Sequence, residues 1–317
     1  MPLEVSDYRA PFWLPGGHLQ TLVPRYLRRP QLTGEPVEIE LPDGDSLHAE
    51  LYRARDPEAP VLILSHGLEG SARSGYILGM ARVGLAQGWS VLAWNLRSCG
   101  PTLNRTPAIY HSGCSDDLDQ VIRWAGTHCS RRLRLGGFSL GGNVTLKWLG
   151  EQGEQARERG VEAAATASVP IDLLACVREL ERPVNWLYHK HFVRSMKRRL
   201  KAKATQFPDH YDLDKLASLS TLWQLDEHYT APLNGFRDAA DYYARCSGRY
   251  FLDGIRVPTL LVTAGNDPFF NASCYPRAQA ASSDHLHFEA PRTGGHVGFW
   301  GGPNRWWLED RFLSHLG

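Results

Sequence analysis

The stretch Gly137-Phe138-Ser139-Leu140-Gly141 restricts what this chain can fold into more than any other. It joins a strand-like run, Arg132 to Leu135, to a helix-like one, Val144 to Leu149. A serine on so sharp a strand-to-helix turn sits in a strained backbone conformation, and its neighbours two positions away must be small. Both are glycine. The turn lifts the hydroxyl out of the sheet and sets the amide of Leu140 at the start of the next helix, where free N–H groups and the helix dipole favour negative charge. One residue type and one spacing thus serve both nucleophilic attack and charge stabilisation.

The rest of the chain has a matching rhythm. Short apolar runs recur at Val37 to Leu41, Leu47 to Tyr52, Val61 to Ser65, Ser90 to Leu96, Arg132 to Phe138, Ala163 to Val169, Thr259 to Ala264 and Leu286 to Ala290. Pro42-Asp43-Gly44-Asp45 separates the first two, a turn signal that predicts an antiparallel hairpin. The later runs alternate with helical patterns such as Asp116 to Thr127, which predicts right-handed parallel crossovers. The expectation is an α/β fold with an eight-stranded, mostly parallel, doubly wound sheet. The chain between Val169 and Thr259 is far longer than a crossover needs. It is expected to form a helical cap, residues 172–250, inserted after the sixth strand into a core of residues 1–171 and 251–317. Trp186, Tyr188, Phe192, Trp223, Tyr229, Tyr242 and Tyr243 give it enough aromatic surface to roof a pocket.

The 317 residues carry a net charge of +1, so no global field points to nucleic acid or to an anionic membrane. The one strongly basic stretch, Lys190 to Lys203, has seven Lys or Arg and no acid, and reads as the solvated face of a cap helix. Membrane contact is expected to be at most weak and peripheral. The N-terminus lacks the order of a secretory signal and no apolar run is long enough to span a bilayer, which predicts a cytoplasmic protein. Six scattered cysteines without C-x-x-C pairs argue for reduced packing residues. His285 and His287 alternate along a strand, but no third ligand stands nearby, and no metal or cofactor is expected.

A serine hydroxyl needs an adjacent base, and the base needs an acid to fix its tautomer. The strand from Thr259 runs into Gly265-Asn266-Asp267-Pro268, which puts Asp267 just past a strand's carboxyl end. Asp172 is the reserve. The last strand is followed by Thr293-Gly294-Gly295-His296-Val297-Gly298-Phe299, a glycine-rich loop able to carry His296 over the serine. Ser65-His66-Gly67-Leu68-Glu69-Gly70 ends the third strand, and the amide of Leu68 is expected to join that of Leu140 in an oxyanion hole. His66 is expected to shape this loop by hydrogen bonding. Asp116 and Asp117 open a helix that Ser115 is expected to cap.

The residues also resemble a known group, the YheT-like α/β-hydrolases, bacterial relatives of the eukaryotic α/β-hydrolase-domain esterases and phospholipases. The resemblance runs over nearly the whole chain. It rests on Gly17-His18-Leu19-Gln20-Thr21-Leu22, His66-Gly67-Leu68-Glu69-Gly70-Ser71, Tyr110-His111-Ser112-Gly113, the segment around Ser139, Asn234-Gly235-Phe236 with Asp241-Tyr242-Tyr243, Asn266-Asp267-Pro268-Phe269 and Gly294 to Phe299. It implies an α/β-hydrolase fold and a Ser139, Asp267, His296 triad, in agreement with the order of these residues along the chain. Arg97-Ser98-Cys99-Gly100 departs from the expected Arg-Gly-Cys order, in a loop expected to border the pocket.

Together these readings predict a serine hydrolase that cleaves carboxylic esters, short- to medium-chain or lipid-like, without a cofactor. Its partner is a small-molecule ester. His66, Gly67, Trp186, Phe269 and Phe299 are expected to touch substrate. A thioesterase or carbon–carbon hydrolase would use the same triad, and a lipid- or ligand-binding module on this scaffold would use none of it.

Overall fold

The structure, a computed structural model, describes residues 3–28, 30–303 and 305–317. Met1 and Pro2, part of the N-terminal reading above, lie outside the described residues. Nine strands form the main sheet: β1 (Leu3–Glu4), β2 (Glu35–Glu40), β3 (Ser46–Tyr52), β4 (Val61–Ser65), β5 (Ser90–Trp94), β6 (Leu133–Phe138), β7 (Val161–Ala167), β8 (Thr259–Val262) and β9 (Leu286–Glu289). Their order across the sheet is β1-β9-β8-β7-β6-β4-β5-β3-β2. β3 pairs antiparallel with both neighbours, and every other pairing is parallel. Eight of the nine are the expected strands. The ninth, β1, has two residues and lies parallel to β9, too short to leave a periodic signal. A small hairpin, β10 (Trp300–Gly302) with β11 (Arg305–Trp306), stands apart from the sheet.

The central strands are apolar on both faces because both are covered. In β4, Val61 and Ile63 pack into one core with Val121 and Ile122 of α3 (Ser115–His128) and Val144 of the helix after Ser139. Leu62 and Leu64 pack into the other core, with Ile77, Met80, Leu308 and Phe312. The helices concerned are α1 (Gly16–Leu27), α2 (Gly75–Ala86), α3, α4 (Leu140–Gln152) and α5 (Gln155–Glu158), with a C-terminal helix at Trp307–Leu316. Ser115 is the first residue of α3 and forms no side-chain cap; its hydroxyl accepts from Lys147 Nζ at 2.9 Å instead. Asp117 turns to Arg97, which donates from Nε at 2.9 Å and Nη2 at 2.7 Å.

Between β7 and β8 the described chain is helical. It holds α6 (Leu173–Leu180) and the long α7 (Trp186–Gln206), then short segments at Leu213–Ser218, Leu222–Leu225, Asp226–Thr230, Ala231–Leu233 and Ala239–Cys246. Its interior is built from two apolar clusters, one around Leu200, Leu216 and Leu225 and one around Ala231, Ala239 and Tyr243. The basic stretch is not simply a solvated face. Arg199 and Lys203 point inward, and Lys197 donates to the carbonyls of Ala217 and Leu219, while Lys190, Arg194, Arg198 and Lys201 remain exposed. No helix among the described residues is long and apolar enough to cross a membrane.

Candidate active site

Ser139 follows β6 directly and caps α4 with φ 53° and ψ −122°, the strained conformation required by the turn. The glycines around it are explained by clearance. A Cβ on Gly137 would meet Gly142 Cα at 2.7 Å and Thr145 Oγ1 at 2.8 Å, and one on Gly141 would be driven into the carbonyl oxygens of Ser65 and His66. The chain folds this way because nothing but hydrogen fits.

Three carboxyl-end loops then converge. His296 Nε2 lies 2.9 Å from Ser139 Oγ, and His296 Nδ1 lies 2.8 Å from Asp267 Oδ2. An ionised carboxylate only accepts, so Nδ1 carries the proton and Nε2 is left to accept from the serine hydroxyl. The Asp267 side chain is fully buried and that of His296 is 12% exposed. Asp267 Oδ1 accepts from the amide of Phe269 at 3.0 Å, and the rings of Phe269 and Phe270 flank the imidazole at 4.3 and 5.5 Å. Asp172, the reserve acid, caps α6 through the Ala175 amide and pairs with Arg249.

Leu68 and Leu140 both line the cavity over Ser139, and among the described residues no protein acceptor takes either amide. The loop that carries Leu68 is held from three sides. His66 is buried, with Nδ1 donating to Gly67 O at 2.8 Å and Nε2 accepting from the Leu96 amide at 3.1 Å. Burial pushes its pKa down to about 4, so it is neutral at pH 7. The Gly67 amide donates to the Tyr76 hydroxyl at 2.8 Å. Glu69, at φ 54°, receives Arg199 at 3.1 and 3.2 Å, Tyr110 at 2.7 Å and Ser195. Burial would raise its pKa, but the Arg199 charge and these bonds hold it below the usual carboxylate range. Through Glu69, α7 is tied to the loop under the serine.

Of the five residues expected to touch substrate, Phe269 lines the cavity. His66 and Gly67 lie behind the wall, where they shape the loop. Trp186 is 54% exposed beneath Lys190, which sits 4.7 Å over its ring, because the first turn of α7 projects away from the cavity. Phe299 is fully buried among Tyr8 and Trp307, since the chain turns back into the core after His296. The Arg97 to Gly100 loop is likewise absent from the cavity wall. Ser98 takes φ 61° there, a conformation that suits the glycine expected at this place.

The sequence reading gave no role to the N-terminal helix. Gln20 Oε1 accepts from Gly294 N at 2.8 Å and Asn266 Nδ2 at 2.9 Å, its own amide donates to Leu14 O, and Thr21 Oγ1 accepts from the His296 amide at 2.9 Å. Asn266 Oδ1 in turn accepts from Gly295 N at 3.0 Å. The Gly17 to Leu22 motif, seen in the sequence only as a signature, thus frames the loop that bears His296.

A model of the α/β-hydrolase fold family matches residues 60–303. The chain belongs to the α/β-hydrolase family. Within it, the chain is 32% identical to YheT of Escherichia coli (strain K12), provisionally named an esterase, over 94% of this chain and 89% of that one. It is 26% identical to phospholipase ABHD3 of Mus musculus, over 94% of this chain and 74% of the mouse protein. Among solved α/β-hydrolase structures, an esterase from Pyrococcus furiosus superposes with a TM-score of 0.58 at 16% identity, covering 90% of this chain and 92% of that one.

Proposed function

We propose that the protein is a serine hydrolase of carboxylic esters. The observation that carries this reading is the continuous relay from Ser139 Oγ through His296 to Asp267, with 2.9 and 2.8 Å steps. In the proposed reaction His296 takes the Ser139 proton as Oγ attacks the ester carbonyl, and Asp267 stabilises the imidazolium. The amides of Leu68 and Leu140 hold the tetrahedral oxyanion. His296 then gives the proton to the departing alcohol, and water cleaves the acyl-enzyme by the same steps in reverse. Phe269 and Phe270 keep water from the imidazole, which strengthens each charge interaction in the relay. The cavity above Ser139 has a mostly apolar surface to which Leu68, Leu173, Val177, Leu180, Phe192 and Met196 contribute, which suits an aliphatic arm. The helical segment after β7 supplies much of that wall, and we assign residues 172–250 as a cap on the hydrolase core. Kinship with a protein named phospholipase supports an ester as the substrate class.

The test is hydrolysis of p-nitrophenyl acyl esters across chain lengths, wild type beside Ser139→Ala, with fluorophosphonate labelling of both. Loss of labelling and a fall in kcat of roughly five orders of magnitude in the variant is the expected result. Full turnover by Ser139→Ala would end the proposal.

A further inference from the structure

The tyrosine hydroxyls on the cavity wall are engaged within the protein. Tyr110 donates to Glu69 at 2.7 Å, Tyr242 to Ser112 Oγ at 2.8 Å and Tyr243 to Asp226 Oδ2 at 2.6 Å. His111 differs from them. It lines the same cavity, half-buried, and the rings of Phe236 and Tyr242 meet its ring edge-on at 5.2 and 6.1 Å.

The tautomer of this imidazole is fixed by its own loop. The Gly113 amide donates to Nδ1 at 3.2 Å, and Cys246 Sγ lies 3.9 Å from the same atom. A ring nitrogen that accepts from an amide carries no proton, so the proton of the neutral ring is on Nε2. Among the described residues no acceptor takes that proton, and Nε2 is not sealed inside the protein. Burial, helped by the charges of Lys147, Arg97 and Arg245, pushes the pKa down to about 3. At pH 7 the ring is therefore neutral and offers one N–H donor. The backbone beside it is pinned from two sides. Asn143, one turn into the helix that begins at Leu140, donates to Ser112 O at 2.8 Å, and the Tyr242 hydroxyl accepts from the Ser112 amide at 2.9 Å.

An N–H group pressed against hydrocarbon gives up its hydrogen bond to water and gains nothing, so a plain alkyl chain laid over His111 is penalised. An oxygen that only accepts removes the penalty. The scissile carbonyl is assigned to the amides of Leu68 and Leu140, which leaves Nε2 for a second oxygen, and the mostly apolar wall disfavours one that bears a full charge. Resting on the ester-hydrolase reading, we propose that His111 is a specificity-determining residue, donating from Nε2 to an ether or keto oxygen set within one arm of the substrate ester. A site built around such a donor discriminates against the analogue whose chain carries a methylene at that position.

Binding of non-hydrolysable ketones tests the proposal independently of turnover. Calorimetric titration compares 2-decanone with analogues in which an ether oxygen replaces each chain methylene in turn, from the fourth position to the ninth. A ketone does not distinguish the acyl from the alcohol arm, so one series scans both. The wild type is expected to bind one analogue roughly fivefold tighter than its neighbours in the series, from a single hydrogen bond of ordinary strength. His111→Asn keeps an acceptor for the Gly113 amide but ends short of the Nε2 position, and is expected to flatten the series. His111→Gln carries an amide N–H out to that position and is expected to restore the peak. A role confined to bracing the loop would shift all affinities together and leave the peak in place. A flat series in the wild type, no binding by any member, or a peak that survives His111→Asn overturns the assignment. Tighter binding of 9-oxodecanoate than of every ether overturns it in favour of an anionic group. Hydrolysis by Ser139 is measured separately, so failure of the esterase reading and failure of this contact are distinguishable.

Discussion

Around Ser139 position is enforced by backbone: Gly137 and Gly141 have no space for a methyl group, and Ser139, Val297 and Phe299 all take positive φ. Across the cavity the helical segment after β7 is held by side chains. Arg199 reaches Glu69 and the Ser98 carbonyl, and Lys203 donates to Asn104 O at 3.0 Å and to the Thr106 carbonyl. Steric exclusion leaves one geometry. Ion pairs and hydroxyls can be exchanged for others that hold the same elements in a different place. The rim can therefore keep one chemistry while the opposite wall changes which molecules reach it.

The comparison breaks most severely at Gly141. Gly141→Ala would push a methyl into two main-chain carbonyls that cannot yield, and is expected to cost on the order of 4 kcal/mol or more, with esterase activity lost. Urea unfolding and labelling of Ser139 measure both. A near-native midpoint would mean that the rim has slack after all.

Next in size is the tie between the regions. Glu69→Gln leaves Arg199 charged in a mostly buried site, and removing one partner of such a pair costs about 3 kcal/mol or more. Adding Arg199→Met should recover most of that loss, because the uncompensated charge is then gone. A double variant no more stable than Glu69→Gln would show that hydrogen bonds from Tyr110 and Ser195, rather than the charge pair, do the holding.

Asp226 sharpens the contrast through pH. Its folded-state pKa, about 6, is above the unfolded value near 3.8, so between these values the folded state binds more protons and stability falls as pH rises. The loss is complete above pH 6. Asp226→Asn is therefore expected to raise stability by about 3 kcal/mol at pH 7.5 and by almost nothing at pH 3.5, where the carboxyl is mostly protonated in both states. Denaturant midpoints at the two pH values give the difference. His66 and His111 work in the opposite sense. Burial pushes them down to about 4 and about 3, so the unfolded chain gains protons first and stability falls as pH drops below 6.5. A gain from Asp226→Asn that is equal at both pH values would show that the carboxyl ionises in the fold as readily as in the unfolded chain.

The same contrast explains what the sequence made legible. Strands such as Val61 to Ser65 announce themselves because both faces are buried, and the glycines at 137, 141, 294 and 295 announce close approaches that only their lack of a side chain permits. Asp267 and His296 follow from chain order, since loops at the carboxyl ends of adjacent parallel strands must meet. Tertiary events leave no such local trace. The inward turn of Arg199 and Lys203 within a run of cations depends on where Glu69 and Asn104 fall in space. Trp186 carries the composition of a pocket roof, yet its helix rotates it to solvent. The turn at Asp226–Thr230, where the Ala231 amide bonds back five residues to the Asp226 carbonyl, has no sequence period of its own, and Phe299 reads as a pocket residue only until the chain is seen turning into the core.

Gln20 offers the finest test, because it acts on the rim from an element 274 residues away in sequence. Its carboxamide oxygen fixes Gly294 and Asn266 together, so Gln20→Met, which keeps length and apolar packing, releases one main-chain donor and one side-chain donor at the loop before His296. The expected stability loss is about 1–2 kcal/mol. The expected kinetic signature is more telling: a kcat reduced about tenfold with KM little changed, since imidazole placement matters in the transition state and the cavity wall is untouched. Gln20→Glu retains the acceptor and should recover most of the rate. A Met variant that loses stability but keeps kcat would reduce the N-terminal helix to a brace, and would leave the glycines of the His296 loop as sufficient to aim the base without it.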